Sequence, residues 1–510
     1  MPADTLGALL RSNAERRGDK PVLVTSEERL SHSDLDRRSR DLAARLVAAG
    51  TAKSSRVGLM APNGIDWAVI ACAVTRIGAT LVPLSTLLRV PELEQQLQIA
   101  AVTHLIAVED FRGRRYVEEL GDAAARVLPS LKQVWTIDAL PLDAVDATFV
   151  DALEETVRPA DDLVLMFTSG SRGTPKGVVH THGGSLLATA SGLQARCIGA
   201  DDRLYIPMPF FWTGGFNGGL LSAIVAGATL LTEAIPEPAA TLALLERERA
   251  TLFRGWPDQA ARLAADPGFA DADLSSLGPG SLAAVLPVEQ RPAPGARANL
   301  FGMTETGGPY AGDRLDEDLP ADRFGSCGRP FAGIDVRIVD PESGAECSAG
   351  SVGEIRLRGP RVMRTIAGRL RDELVDDDGY YPTGDLGSVD ADGYLWYRGR
   401  LDDMVKISGA TVFPSEVESA LRTIPGVVQA HVIDLQIDAT PAVGALVVTE
   451  VPLSDLSAEA ASRLSAFKVP SVWLLSESAD VVPLNASSKI DKTALQDLLM
   501  RDGARTTRNR

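Results

Sequence analysis

Blocks of apolar positions with helical and extended spacing alternate through the first third of the chain. In "DLDRRSRDLAARLVAAG", Leu35, Leu42 and Leu46 fall on one helical face, with Ser33 where an N-cap is expected and Gly50 where the helix should stop. "RVGLMAPN" reads as a strand entering a turn, and "DWAVIACAVTRIGATLVPL" as a helix, a glycine stop and a buried strand. Repeated strand–helix alternation predicts a parallel sheet covered by helices. After about residue 325 the pattern changes: "IDVRIVD", "VGEIRLRG" and "GYLWYRG" are short strands between Gly, Pro and Asp turns, a smaller β-rich layer. From about Arg400 the helix "FPSEVESALRTI", the strands "VVQAHVID" and "AVGALVVTE" and the helix "DKTALQDLLM" predict a small αββα-like domain, followed by a polar, basic tail. The expected class is α/β: residues 1–400 as a large N-terminal domain of βα sheets plus a β-rich subdomain, and residues 401–510 as a small α+β domain.

Composition narrows the function classes. A chain of 510 residues exceeds one ordinary core, so two or more domains are expected. The net charge of −17 disfavours an extended nucleic-acid surface, which needs clustered Lys and Arg, but leaves room for one nucleotide in a local pocket. The most apolar stretch, residues 57–84, is interrupted by Pro62, Asn63, Asp66, Arg76 and Gly78, which fits buried elements rather than a membrane span. "MPADTLGALLRSNAERRGDK" becomes charged too early for a secretory leader. Cys72, Cys197, Cys327 and Cys347 lie far apart without metal-ligand spacing, as expected of buried thiols in a reducing cytoplasm.

The candidate chemistry centres on "MFTSGSRGTPKGVVHTH" (166–182). The apolar run "DLVLMF" predicts a buried strand, followed by hydroxyls, glycines, Arg172 and Lys176. Glycines let backbone N–H groups converge on an anion, hydroxyls add donors, and the basic residues add charge. Counted from Gly170, Lys176 stands where the Walker A lysine would, but Pro175 replaces its second glycine and Gly177 its metal-binding hydroxyl. Taken alone, the segment reads either as a phosphate-binding loop other than a P-loop or as a Ser/Gly-rich surface turn.

Residues 167–177 match the pattern [YF]-T-S-G-[ST]-[TR]-G-x-P-K-G throughout, and further motifs follow in order: "NLFGMTETGG" (299–308), "YYPTGDLG" (380–387), "RGRLDDMVKISGATVFPSEVESAL" (398–421), "FKVP" (467–470) and "PLNASSKIDKTAL" (483–495). Over nearly its whole length the chain resembles the class I adenylate-forming superfamily of acyl-CoA synthetases, peptide-synthetase adenylation domains and luciferases. It is most similar to the AMP-forming acyl-CoA synthetases. The resemblance implies a reaction joining a carboxylate to AMP with release of pyrophosphate, then acyl transfer to a thiol, with ATP, Mg²⁺ and CoA as reactants and cofactor. It also implies a small C-terminal domain that is mobile. By that resemblance Thr168, Ser169, Gly170, Ser171, Gly173 and Lys176 wrap the β- and γ-phosphates, Thr304 meets the α-phosphate and Glu305 ligates Mg²⁺. Phe301, beside Gly302, offers a face to adenine, and Asp385 and Arg400 hold the ribose. Lys489 bridges carboxylate and α-phosphate in the transition state, with Ser488 where the family has Gly. Asp402 is the hinge, and Gly409 lies along the tunnel for pantetheine.

"PMPFFWTGGFNGG" (207–219) occupies the region of the acyl pocket and its aromatic gate. Phe211, Trp212, Gly215 and, beyond the second motif, Gly307 are candidates for that pocket. Trp212 stands where many relatives have His and serves as a steric gate or as pocket and core. The neighbouring glycines either leave room for a bulky tail or allow close helix packing. No acidic residue lies between Tyr205 and Thr232, which argues for an acid without an α-amine. Residues 278–298 are shorter and richer in proline than the family's strand and helix, so adenine contacts there are unassigned. His180 and His182 are read as structural. The expected function is an AMP-forming acyl-CoA synthetase. Transfer of the adenylate to a carrier-protein thiol or an amine stays open beside it, as does a non-catalytic nucleotide-binding protein. No nucleic-acid partner or membrane span is expected, and oligomeric state is not legible.

Overall fold

The computed structural model describes residues 4–121, 128–168, 175–402, 405–407, 410–437, 440–484 and 490–506. The chain divides into two compact units, residues 1–335 with 357–381, and residues 336–356 with 382–510.

The first unit is built on two large sheets and a small three-stranded one ordered 301–303, 308–312 and 329–330. A seven-stranded sheet runs in the order 365–366, 176–181, 162–168, 80–83, 56–60, 104–107 and 133–136. Its pairs from 162–168 outward to 133–136 are parallel, whereas 176–181 is antiparallel to both its neighbours. Leu163, Val164, Leu165 and Met166 are buried on both faces of the sheet, as a continuous apolar run in a covered parallel sheet must be. A five-stranded sheet orders 252–253, 203–205, 229–231, 21–24 and 29–31.

The helix His32–Ala48 buries Leu35, Leu42 and Leu46 as their spacing predicts, but its N-cap is Ser31. Ser31 Oγ accepts the Asp34 N–H at 3.0 Å, while the Ser33 hydroxyl turns to the Ala14 carbonyl. A serine at the N-cap with Asp at N3 satisfies the end of the helix better than the expected start two residues later. The helix Ile65–Arg76 carries Trp67, which packs edge-on against Phe210 and Phe216, with centroids 5.2 and 5.8 Å away. That cluster anchors the segment expected to form the acyl pocket.

The second unit combines a four-stranded sheet, ordered 335–339, 353–358, 381–389 and 395–400, with a second, ordered 427–437, 440–449, 472–476 and 504–505. The helices Pro414–Arg422 and Lys492–Asp502 cover the latter as expected. The helix Leu453–Arg463 and the strand Val472–Ser476 were not anticipated. The helix buries only Leu456 and Ala460, too narrow a stripe to stand out in sequence. Among the described residues no helix is long and apolar enough to cross a membrane.

Candidate functional site

The strands Asp162–Thr168 and Lys176–Thr181 form a hairpin in which Thr168 pairs directly with Lys176. Both ends of the glycine-rich segment are thus fixed in register at the rim of a rigid sheet, with the exposed Lys176 side chain beside the half-buried Thr168. Ser169, Gly170, Ser171 and Gly173 lie outside the described residues.

The outgoing strand carries His180 inward. Its Nε2 lies 2.6 Å from the carbonyl oxygen of Thr304. A carbonyl only accepts, so Nε2 holds the proton. Burial, opposed by that carbonyl, pushes His180 down to about 4, so the ring is a neutral donor at physiological pH. His182, also lowered to about 4 by burial, accepts the Leu6 N–H on Nδ1 at 3.2 Å. Both imidazoles act as hydrogen-bond partners in the frame.

His180 thereby ties the phosphate-loop hairpin to the second motif. Phe301–Met303 is a short strand paired with Gly308–Gly312, and Thr304–Thr306 is a tight turn between them. The Thr306 hydroxyl braces the turn by donating to the Gly308 carbonyl at 2.7 Å, and Met363 N–H donates to the Glu305 carbonyl at 2.7 Å. Gly307 closes it at φ +67°, and a Cβ there would stand 3.2 Å from Ala188 Cβ. At Gly302 a Cβ would overlap the Gly308 carbonyl. Both positions require glycine. Phe301 keeps a partly exposed face and packs edge-on against buried Tyr310, with centroids at 5.5 Å. Glu305 is buried. A single hard carboxylate oxygen suits Mg²⁺ held between protein and phosphates. No cluster of three or more His, Cys, Asp or Glu side chains occurs among the described residues, and such a site needs none.

The acyl segment is held by a residue whose role sequence reading missed. Asn63 Oδ1 accepts the Phe210 N–H at 2.7 Å, and its Nδ2 donates to the Met208 carbonyl and the Thr232 hydroxyl, both at 3.0 Å. The only signal was the "APN" turn after a strand. Phe211 is buried, and Trp212 is half-buried and edge-on to it at 5.5 Å. The glycines of this segment divide in function. A Cβ on Gly215 would run into the carbonyls of Met208 and Pro209, and one on Gly214 into Met208, so these two allow close packing. Gly218 faces open space. The shortened segment 278–298 holds two short 3₁₀ turns, Ala283–Val285 and Val288–Gln290.

The remaining candidates lie in the second unit. Asp385 and Arg400 are register partners on adjacent strands, joined by a 3.0 Å ion pair. Burial works against the Arg400 charge, but Asp385 outweighs it and raises Arg400 above its ordinary value. The Asp385 carboxylate is nearly buried, and Asp402, just beyond the sheet, is exposed. Gly409 and Lys489 lie outside the described residues.

A family model described as "AMP-binding enzyme" matches residues 10–366. The 3-[(3aS,4S,7aS)-7a-methyl-1,5-dioxo-octahydro-1H-inden-4-yl]propanoyl:CoA ligase of Mycobacterium tuberculosis is 33% identical over 97% of this chain and 99% of its own length. Feruloyl-CoA synthase of an Amycolatopsis species is 32% identical over 91% and 92% of the two chains. Among solved structures, the anthranilate CoA ligase AuaEII in complex with anthranoyl-AMP shares the fold with a TM-score of 0.80, at 24% identity over 97% of both chains. This chain belongs to the AMP-binding enzyme family.

Proposed function

We propose that this chain is an AMP-forming acyl-CoA synthetase acting on a carboxylic acid without an α-amine. The observation that carries the reading is the 2.6 Å bond from His180 to the Thr304 carbonyl, which holds the phosphate-loop hairpin and the Thr304–Glu305 turn in one frame. In the first half-reaction a carboxylate oxygen attacks the α-phosphorus of ATP, the bond to the pyrophosphate oxygen breaks, and an acyl-AMP anhydride forms. Two anions approach, so the protein's task is positioning and charge compensation. Thr168, Lys176 and the loop between them hold the β- and γ-phosphates, Thr304 donates to the α-phosphate, and Phe301 and Gly302 flank adenine. Asp385 and Arg400 take the ribose, and Lys489 bridges the reacting oxygens. Glu305 would hold Mg²⁺, which would supply positive charge against the phosphates. In the second half-reaction the CoA sulfur attacks the acyl carbon, and AMP leaves with the bonding electrons. Rotation of residues 401–510 about Asp402 would exchange Lys489 for Gly409 between the two steps. The relatives' names, a bicyclic propanoyl:CoA ligase and a feruloyl-CoA synthase, support CoA as acceptor and a ring-bearing or otherwise bulky acid.

Pyrophosphate exchange into ATP across a panel of acids, followed by thioester detection with CoA, tests the reading. Exchange without thioester would point to a carrier-protein thiol or an amine as acceptor. Lys489→Ala should abolish exchange yet still convert synthetic acyl-AMP to thioester, and Gly409→Leu should slow only that second conversion. Equal loss of both steps in Lys489→Ala would sink the division of labour.

A further inference from the structure

Residues 361–367 cross both motifs of the first unit without belonging to either. The Met363 N–H donates to the Glu305 carbonyl and the Ala367 N–H to the Gly177 carbonyl, both at 2.7 Å, and the Arg364 N–H donates to the Val179 carbonyl at 2.8 Å. Thr365 and Ile366 pair with the outer strand of the phosphate-loop hairpin. Arg361 stands at the start of this strap, and its side chain is wholly buried. Its Nη1 donates to the Ser191 hydroxyl at 2.8 Å and its Nη2 to the Pro309 carbonyl at 2.5 Å. The guanidinium carbon lies 5.7 Å from the centre of the Phe331 ring, within cation–π range.

Burial brings Arg361 down to about 10, so it stays cationic at neutral pH, and no carboxylate pairs with it among the described residues. Taking a cation out of water without a carboxylate is expensive, and an apolar side chain of similar volume fills such a space at lower cost. What an apolar side chain cannot do is hold a carbonyl in place. The strand Gly308–Gly312 needs such a hold. Its ladder with Phe301–Met303 has three register pairs and is bulged between Phe301 and Gly302. One of those pairs is Gly302 with Pro309, and on the other edge Ala311 faces Pro330. Proline has no N–H to give, so each ladder of this strand includes a residue that cannot donate. The strand that backs Phe301 and closes the Thr304–Glu305 turn is therefore thinly fixed by its own sheet. Arg361 grips it at Pro309 and ties it to Ser191, the last residue of the helix that follows the phosphate-loop hairpin.

We propose that Arg361 is a positioning residue for adenylation: by holding the Pro309 carbonyl against Ser191 it keeps Phe301 and the Thr304–Glu305 turn in place beside the phosphate-loop hairpin. It acts through those residues and touches neither nucleotide nor acid. The inference rests on the adenylate-forming reading. The test is pyrophosphate exchange in Arg361→Met and Arg361→Lys, with kcat and the KM for ATP measured separately and folding followed by thermal melting. Met fills the space without charge or donors, whereas Lys keeps the charge but lacks the planar fork that spans both acceptors. A misplacement of about 1 Å costs on the order of 100-fold in rate, so in Arg361→Met kcat should fall by roughly 10- to 100-fold, and the KM for ATP should rise with it. Arg361→Lys should show the same pattern at a smaller size, roughly 3- to 10-fold, and decides alone if Arg361→Met does not fold. A merely structural arginine would act through the folded fraction, lowering kcat while the KM for ATP stays at the wild-type value. That pattern, wild-type constants in either folded variant, or loss of folding in both would overturn this proposal and leave adenylation intact. Wild-type protein that exchanges with no acid would overturn the adenylation reading and this one with it.

Discussion

His180→Phe removes one donor while keeping a planar ring in the same space. The lost bond is the 2.6 Å contact from Nε2 to the Thr304 carbonyl. An acceptor left without its partner costs about 1–3 kcal/mol when buried, and Thr304 is half-buried, so roughly 1–2 kcal/mol is expected. Set against a domain stability of about 5–15 kcal/mol, that leaves the variant folded. The larger effect is on chemistry, because the same turn carries Thr304 and Glu305. A displacement of about 1 Å of positioned groups costs on the order of 100-fold in rate, so pyrophosphate exchange should fall by roughly 10- to 100-fold in kcat. The KM for the acid should change less. His180→Gln, which retains an N–H near the same place, should recover much of the loss. Thermal melting of both variants separates positioning from unfolding. A folded His180→Phe protein exchanging at the wild-type rate would refute the argument that this imidazole aligns the two motifs.

Asn63→Leu strands the Phe210 N–H and the Met208 carbonyl, so it should lower stability by about 2–4 kcal/mol in urea titrations. It should also raise the KM for the acid, and an unchanged KM would detach Asn63 from the acyl segment. Stability should also depend on pH through buried neutral imidazoles. His32, His180 and His182 are all pushed by burial from the ordinary 6.5 to about 4. Between those values the unfolded chain binds more protons, so their contribution is complete above about pH 6.5 and is lost as pH falls toward 4. The slope approaches about 1.4 kcal/mol per pH unit for each histidine. Glu233 and Glu418, whose pKa values burial raises, act with the opposite sign. The difference between wild type and His180→Phe in urea midpoint, measured from pH 7.5 to 5, isolates one imidazole. It should shrink as pH falls, and a constant difference would contradict a neutral buried ring.

The motifs were legible as patterns because each is a short run of neighbouring residues. The tight turn closed by Gly307 needs only neighbouring residues of the right type. The same holds for the apolar runs that became the central sheet and for the helical stripe of Leu35, Leu42 and Leu46. Where a boundary slipped, as from Ser33 to Ser31, two nearby residues competed for one cap, and Ser31 is the one whose hydroxyl meets the Asp34 N–H. What only the tertiary structure decided are contacts between residues remote along the chain: His180 with Thr304 across 124 positions, and Asn63 with Phe210 across 147. A lone histidine and a lone asparagine carry no periodic signature. Their roles follow from which backbone groups packing leaves without a partner, and that is settled only when distant segments close around them.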